Sequence, residues 1–343
     1  MPMLWLKMVD MIFILLVLKK YKIDVPAFEG PAITIAGNGA TVGYMHLADN
    51  QFNAYQRTYV LQNFVVNRGF LFSEIGNKLP QKIHQEARTG NIPYIVMDML
   101  TDLKLAIPKD ESEQSKIGSF FKQLDNTIDL HHRKHEALLK LKEAYLQNLF
   151  PEKDNKYPVL RFAGFTDDWE QRKLGDIAVI TFGQSPDGKN YTDNPNDHIL
   201  VQGNADIKDG HVVPRVWTKQ VTKSALPGDL IFSVRAPVGD VGMTDFPVVL
   251  GRGVAGFKAN QFVFFLLEKL KLEGYWTRYS SGSTFESVNS KDVKTAPVLS
   301  PYTIEQEQIG AFIAVINDTI ALHQRKLEKL QELKKGYLQK MFC

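Results

Sequence analysis

The chain has 343 residues, 44% of them hydrophobic, a formal net charge of +3 and one cysteine, Cys343. That length accommodates two or three domains at roughly 150 residues each, and the lone cysteine excludes an internal disulfide and a cysteine-built metal cage and fits a reducing cytoplasm. Charge is evenly spread, with 16 basic and 16 acidic residues between 158 and 300, so no block forms a strongly basic footprint for phosphates.

The chain opens with one apolar run, MIFILLVL (11–18), bounded by Asp10 and Lys19. A membrane-spanning helix needs about 20 apolar residues, and KKYK follows in place of a small-residue cleavage site. The run therefore reads as the interior of a domain, and no membrane partner is expected. Next, ITIAGNGATVG (33–43) reads as a strand entering a glycine-rich turn, the form in which a phosphate-cradling loop begins.

A long periodic segment, EQSKIGSFFKQLDNTIDLHHRKHEALLKLKEAYLQNLF (113–150), follows. It returns at a constant offset of 192 as EQEQIGAFIAVINDTIALHQRKLEKLQELKKGYLQKMF (305–342), identical at half of the positions, which marks an internal duplication. Ile117, Phe121, Leu124, Ile128, His131, His135, Leu138, Lys142, Tyr145 and Leu149 alternate by four and three. So do Ile309, Ile313, Ile316, Ile320, His323, Leu327, Leu330, Lys334, Tyr337 and Met341. That spacing is the seam of a coiled coil, and each segment predicts a helix of about 50 Å at 1.5 Å per residue. Two such seams in one chain can bury each other.

The duplication answers the question raised by the glycines. At an offset of 196, DLIFSVRAPVG (229–239) lies over ITIAGNGATVG and places Ser233 and Arg235 where the first copy has Gly37 and Gly39. A phosphate cradle would need the glycines in both copies, and no acidic residue lies between Asn50 and Ser73 to hold a ribose. Nucleotide binding is therefore set aside. Gly43 and Gly239 are expected to supply the unusual backbone angle of a tight turn.

The organisation is then a first domain (1–112), a helix (113–150), a linker (151–157), a second domain (158–304) and a second helix (305–343). Strand-like runs in the second domain are DIAVITF (176–182), HILVQG (198–203), DLIFSV (229–234) and GVAGFKA (253–259), followed by a helical stretch over 261–280. No GxxxxGK[ST], HExxH or paired-cysteine pattern occurs. His131, His132 and His135 cluster on one helix, but Leu327 replaces His135 in the second copy. They read as polar seam residues, and no metal is assigned.

Taken in order, these pieces resemble the specificity subunit of type I restriction–modification enzymes. FTDDWEQRKLGDIAVITFGQSPDG (165–188) resembles the opening of a target-recognition domain, DLIFSVRAPVGDVG (229–242) its central strand and turn, and 280–310 its exit into the helix. FNAYQRTYVL (52–61) and ARTGNIPYIVMDMLTDLKLAIP (87–108) play similar parts in the first domain. The resemblance implies α/β (α+β) target-recognition domains alternating with two long helices that pair as an antiparallel coiled coil in a pseudo-twofold repeat. It implies a non-catalytic, cytoplasmic reader of a bipartite target in double-stranded DNA. It also implies two docked methyltransferase subunits and restriction subunits, with S-adenosylmethionine, ATP and Mg on those partners and no cofactor here.

Expected DNA contacts are Gln184, Ser185, Gln202 and Asn204 on base edges, Arg235 on guanine or phosphate, and Ser283 and Thr284 on the backbone. Helix pairing and partner docking are expected from Ile117, Leu124, Ile128, Leu138, Tyr145, Ile309, Ile316, Ile320, Leu330 and Tyr337. A coiled-coil scaffold with no DNA binding of its own is the alternative. One departure stands out. FTDDWEQRKLGDIAVITFGQSPDGKNYTDN (165–194) has no counterpart in the first domain, because Met1 aligns with Asp197 at the offset of 196. A first recognition domain incomplete at its front is expected, with unpaired strand neighbours and reduced stability.

Overall fold

The computed structural model describes residues 25–86, 94–152, 155–279 and 287–342, together with the backbone of 12–14 and 20–22. The chain divides into two compact units, 1–132 with 325–343, and 133–324. We call them unit 1 and unit 2.

Unit 1 is built on β1 (Ala32–Ala36), flanked antiparallel by β2 (Met45–Ala48) and β3 (Thr58–Leu61). Every residue of β1 is buried, which is why it reads as a continuous apolar run and not as an alternation. Ile33 and Ile35 pack on Ile75 and Leu79 of α1 (Arg68–Glu86). Of the run 11–18, only the strand Ile12–Ile14 is described; it joins a second sheet, paired with Lys20–Lys22 and Gln51–Ala54. The glycines after β1 serve the turn. Gly43 has φ of +81°, and a Cβ on Gly37 would strike the carbonyl oxygen of Arg57. The first long helix, α2 (Glu111–Asn148), follows with no proline to interrupt it.

Unit 2 adds β4 (Val179–Phe182), β5 (Leu230–Ser233), β6 (Val241–Met243) and β7 (Val254–Lys258). Strand β5 lies between β6 and β7, as β1 lies between β2 and β3, and β4 pairs outside β7. Gly239, with φ of +100°, turns the chain between β5 and β6. A second sheet contains His198–Val201 and Val248–Leu250 as parallel neighbours. Helix α3 (Gln261–Leu272) buries Phe262, Phe265 and Leu267 against β5 and β7 residues Leu230, Phe232 and Phe257. The Asn260 side chain caps it, accepting from the amide of Val263 at 3.2 Å.

Two local expectations change. The helical stretch 261–280 ends at Leu272 and resumes as a 3-10 turn at Tyr275–Tyr279, because Gly274 takes φ of +66°. In 176–182 the strand starts only at Val179. Residues Leu174–Ile177 form a helical turn, closed by the Asp176 carboxylate accepting from the amide of Lys173 at 3.2 Å.

The second long helix, α4, spans Thr303–Met341. The helices approach each other antiparallel within each unit. In unit 1, Phe120 meets Tyr337 at 5.1 Å between ring centroids and Lys334 bridges Asp125 at 2.5 Å. In unit 2, Tyr145 meets Phe312 at 4.9 Å and the Lys142 ammonium donates to Asn317 at 2.8 Å. Seam positions of α2 are its protected face: Ile117 is buried, and Leu124, Ile128, Leu138 and Tyr145 are half-buried. In α4, Ile309 and Ile320 are buried, and Ile316 and Leu330 half-buried.

The seam shifts by one residue at the end of α4. Tyr337 and Met341 lie on the exposed rim while Leu338 and Phe342 turn inward, Phe342 onto Phe70 and Phe121. A straight helix at 3.6 residues per turn drifts off a 3.5 repeat in this way. The equivalent pair in unit 2, Leu146 and Phe150, is buried likewise, with Phe150 on Phe262 and Trp169. Each helix starts against its own unit through a glycine. A Cβ on Gly118 or Gly310 would crowd the amide of Phe70 or Phe262, at 2.6 and 2.9 Å.

Candidate nucleic-acid interface

In unit 2 four strand exits converge. The amide of Gly183, just past β4, donates to Val254 at 3.0 Å, and that of Gln184 to Leu250 at 2.8 Å. The amide of Gly251 donates to Val201 at 2.8 Å, and that of Val234 to Gly253 at 2.9 Å. This approach needs glycine. A Cβ on Gly183 would strike the carbonyl oxygen of Gly251, and one on Gly253 that of Gln202. The loops 183–186, 202–204, 234–235 and 251–253 are thereby locked together at one end of the two sheets.

Gln184 projects from this cluster with its side chain exposed. The Ser185 hydroxyl accepts from the Arg252 amide at 3.1 Å and from its Nε at 3.4 Å, so it holds an exposed guanidinium in place. Gln202 is half-buried; its Nε2 donates to the Tyr191 hydroxyl at 2.9 Å. Buried Asp206 shapes the loop before it, accepting from the amides of Gln202 at 2.7 Å and Gly203 at 3.3 Å. Arg235 is exposed, and its backbone is fixed from below by the buried Ser233 hydroxyl, which donates to the Arg235 carbonyl at 2.9 Å.

Gln184, Ser185 and Gln202 thus stand together, with Arg235 tied to them through the bond from Val234 to Gly253. Asn204 lies apart, on the wall of a cleft of about 620 Å³ shared with Leu139, Lys142 and Leu146 of α2. Ser283 and Thr284 lie outside the described residues. Arg252 is absent from the residues expected from sequence. Its signal was there, an arginine between two glycines in GRG (251–253). The arrangement presents two guanidiniums and two amides on a rigid frame, the groups that read guanine and adenine edges and hold phosphates.

No group of three or more metal-ligating side chains occurs among the described residues. No helix among them is long and apolar enough to cross a membrane.

The family described as type I restriction modification DNA specificity domain matches this sequence over residues 15–140 and 166–332. The chain belongs to that family. Specificity subunits are the non-catalytic, target-recognition components of type I restriction–modification systems. The chain is 27% identical over 297 residues to a protein of Methanocaldococcus jannaschii named as the MjaX type I restriction enzyme specificity subunit, covering 83% of this chain and 66% of that protein. It is 24% identical over 318 residues to the type I restriction enzyme EcoDI specificity subunit of Escherichia coli, covering 82% and 70%. This specificity-family chain therefore spans about two thirds of the length of these relatives. Its fold resembles that of the S subunit of a type I system from M. genitalium, with a TM-score of 0.71 at 15% identity, over 97% of this chain and 89% of that one.

Proposed function

We propose that this chain supplies the DNA sequence recognition of a type I restriction–modification complex. It reads a bipartite target in duplex DNA with the recognition domains at 1–112 and 158–304. Its two helices dock two methyltransferase subunits, to which restriction subunits add. S-adenosylmethionine, ATP and Mg sit on those partners, in the cytoplasm. The observation that carries this reading is the convergence of Gln184, Gln202, Arg235 and Arg252 on loops that the glycines of unit 2 hold rigid. Arg252 and Arg235 suit guanine or phosphate, and the two amides suit adenine. Near-neutral overall charge fits a reader that shares phosphate contacts with its partners. The test is a footprint of the complex on DNA with wild-type chain and with Arg252→Ala. Protection of a defined sequence that the variant loses supports the reading; protection unchanged by any alteration of 158–304 contradicts it.

A further inference from the structure

Gln202 stands in the unit 2 cluster on a pinned backbone. Its amide donates to the buried Asp206 carboxylate at 2.7 Å, and its carbonyl oxygen lies where a Cβ on Gly253 would strike. Its side chain is held as well, from a part of the domain that the sequence did not single out. The Gln202 Nε2 donates to the Tyr191 hydroxyl at 2.9 Å. The contact is at the surface, since Tyr191 is 39% exposed and Gln202 half-buried.

Tyr191 is fixed from its own side. It pairs in register with Thr218 in a short antiparallel ladder, Tyr191–Thr192 against Trp217–Thr218. Thr218 is fully buried, and its hydroxyl donates to the Asn190 carbonyl at 3.2 Å. The Lys219 amide donates to the same carbonyl at 2.9 Å. The Gln220 Oε1 accepts from the Asn190 Nδ2 at 2.8 Å and from the Asp187 amide at 2.9 Å. Further along this stretch, the Thr222 hydroxyl donates to the Gln184 carbonyl. The segments 187–192 and 217–222 thus form a braced wall beside the reading loops, joined to them at Gln202 and at Gln184.

A phenolic hydroxyl has one hydrogen to give. While the Tyr191 oxygen accepts from Gln202, that hydrogen is left for an acceptor outside the protein, and Gln202 keeps its Oε1 and its second N–H. The two readings are coupled. If the hydroxyl gave its hydrogen to Oε1 instead, the amide would turn over and present only donors. We propose that Tyr191 is a specificity-determining residue that forms one reading unit with Gln202. Its hydroxyl donates to an acceptor on a guanine or thymine edge, while the amide it steadies meets adenine at the adjoining base pair with Oε1 accepting and N–H donating. The inference rests on the DNA-reading proposal and names a residue within that site.

The experiment selects duplexes from a random library with the full chain in complex with its methyltransferase subunits, then measures binding to every single base-pair change in the selected motif. Tyr191→Phe keeps the ring and removes only a surface hydroxyl, so its melting temperature is unchanged. The expected result is a loss of discrimination of about fivefold or more at one or two adjoining base pairs, with affinity for unrelated duplex unaltered. Gln202→Ala loses discrimination at the same or the adjoining base pair, and the double variant loses less than the sum of the two. Equal weakening on all duplexes marks a phosphate contact and overturns the proposal. So do losses by the two variants that add, or that fall at separated base pairs. A wild-type complex that selects no sequence overturns the DNA-reading proposal and this one with it; a selective wild type whose motif Tyr191→Phe leaves unchanged overturns this one alone.

Discussion

Arg252 owes its position to what flanks it. Gly251 and Gly253 let the loop run against Val201 and Gln202, and the Ser185 hydroxyl fixes the guanidinium. Arg252→Ala is expected to weaken target binding by about 1–3 kcal/mol if the side chain reads a guanine, with no change in melting. Ser185→Ala should do the same to a smaller degree, and titration of labelled duplex with the complex measures both. A second residue makes a pH prediction. Glu74 is fully buried in unit 1; its Oε1 accepts from the Ala106 amide at 3.1 Å, while Oε2 meets no hydrogen-bond partner within normal distance among the described residues. Burial pushes its carboxyl above the usual carboxylate range. The folded state then holds a proton that the unfolded state has released, so stability falls as pH rises from the ordinary carboxylate value through the raised one. Glu74→Gln keeps the bond to Ala106 and removes the buried charge. It should raise the melting temperature of unit 1 near pH 7 and lose that advantage near pH 4; equal gains at both values would contradict the assignment.

At the scale of elements, the long helices do two jobs with one repeated sequence. Their seams face each other, and their ends anchor the units through Gly118, Gly310, Phe150 and Phe342. Phe342→Ala empties a site among Phe70, Ile117 and Phe121, at an expected cost of about 3–5 kcal/mol. Leu138→Asp or Leu330→Asp places a charge in the half-buried seam and should cost about 2 kcal/mol or more. Thermal unfolding of the purified variants checks all three, and unchanged melting would show that the seam is not a packed interface. The helices were readable in the sequence because a four–three alternation over five heptads, written twice, has few other meanings. The handover from Tyr337 and Met341 to Leu338 and Phe342 was not, since it depends on where helix drift meets the Phe70 pocket. The break at Gly274 was equally hidden, because Tyr275 and Trp276 extend an apolar pattern that a glycine between them and α3 redirects.

Across the whole molecule, order and repetition were legible and the reading surface was only partly so. Gln184 and Ser185 are distant in sequence from Gln202 and Arg252, and they meet only because β4, β5 and the strands ending at Val201 and Leu250 finish at one place. The same convergence brings Arg252 against Ser185. The Ser185 hydroxyl also accepts from the Arg252 amide and Nε, a contact that no spacing announces. In the proposed function this chain, through unit 2 above all, decides which DNA sequence the complex modifies. The most direct measurement is a map of methylated adenines in cells that hold the methyltransferase and restriction subunits. It compares cells with this chain, without it, and with its 158–304 domain exchanged for that of a relative. The expected result is one split adenine motif that vanishes without the chain and changes in one half when 158–304 is exchanged. A motif that persists without the chain, or survives the exchange unaltered, would contradict it.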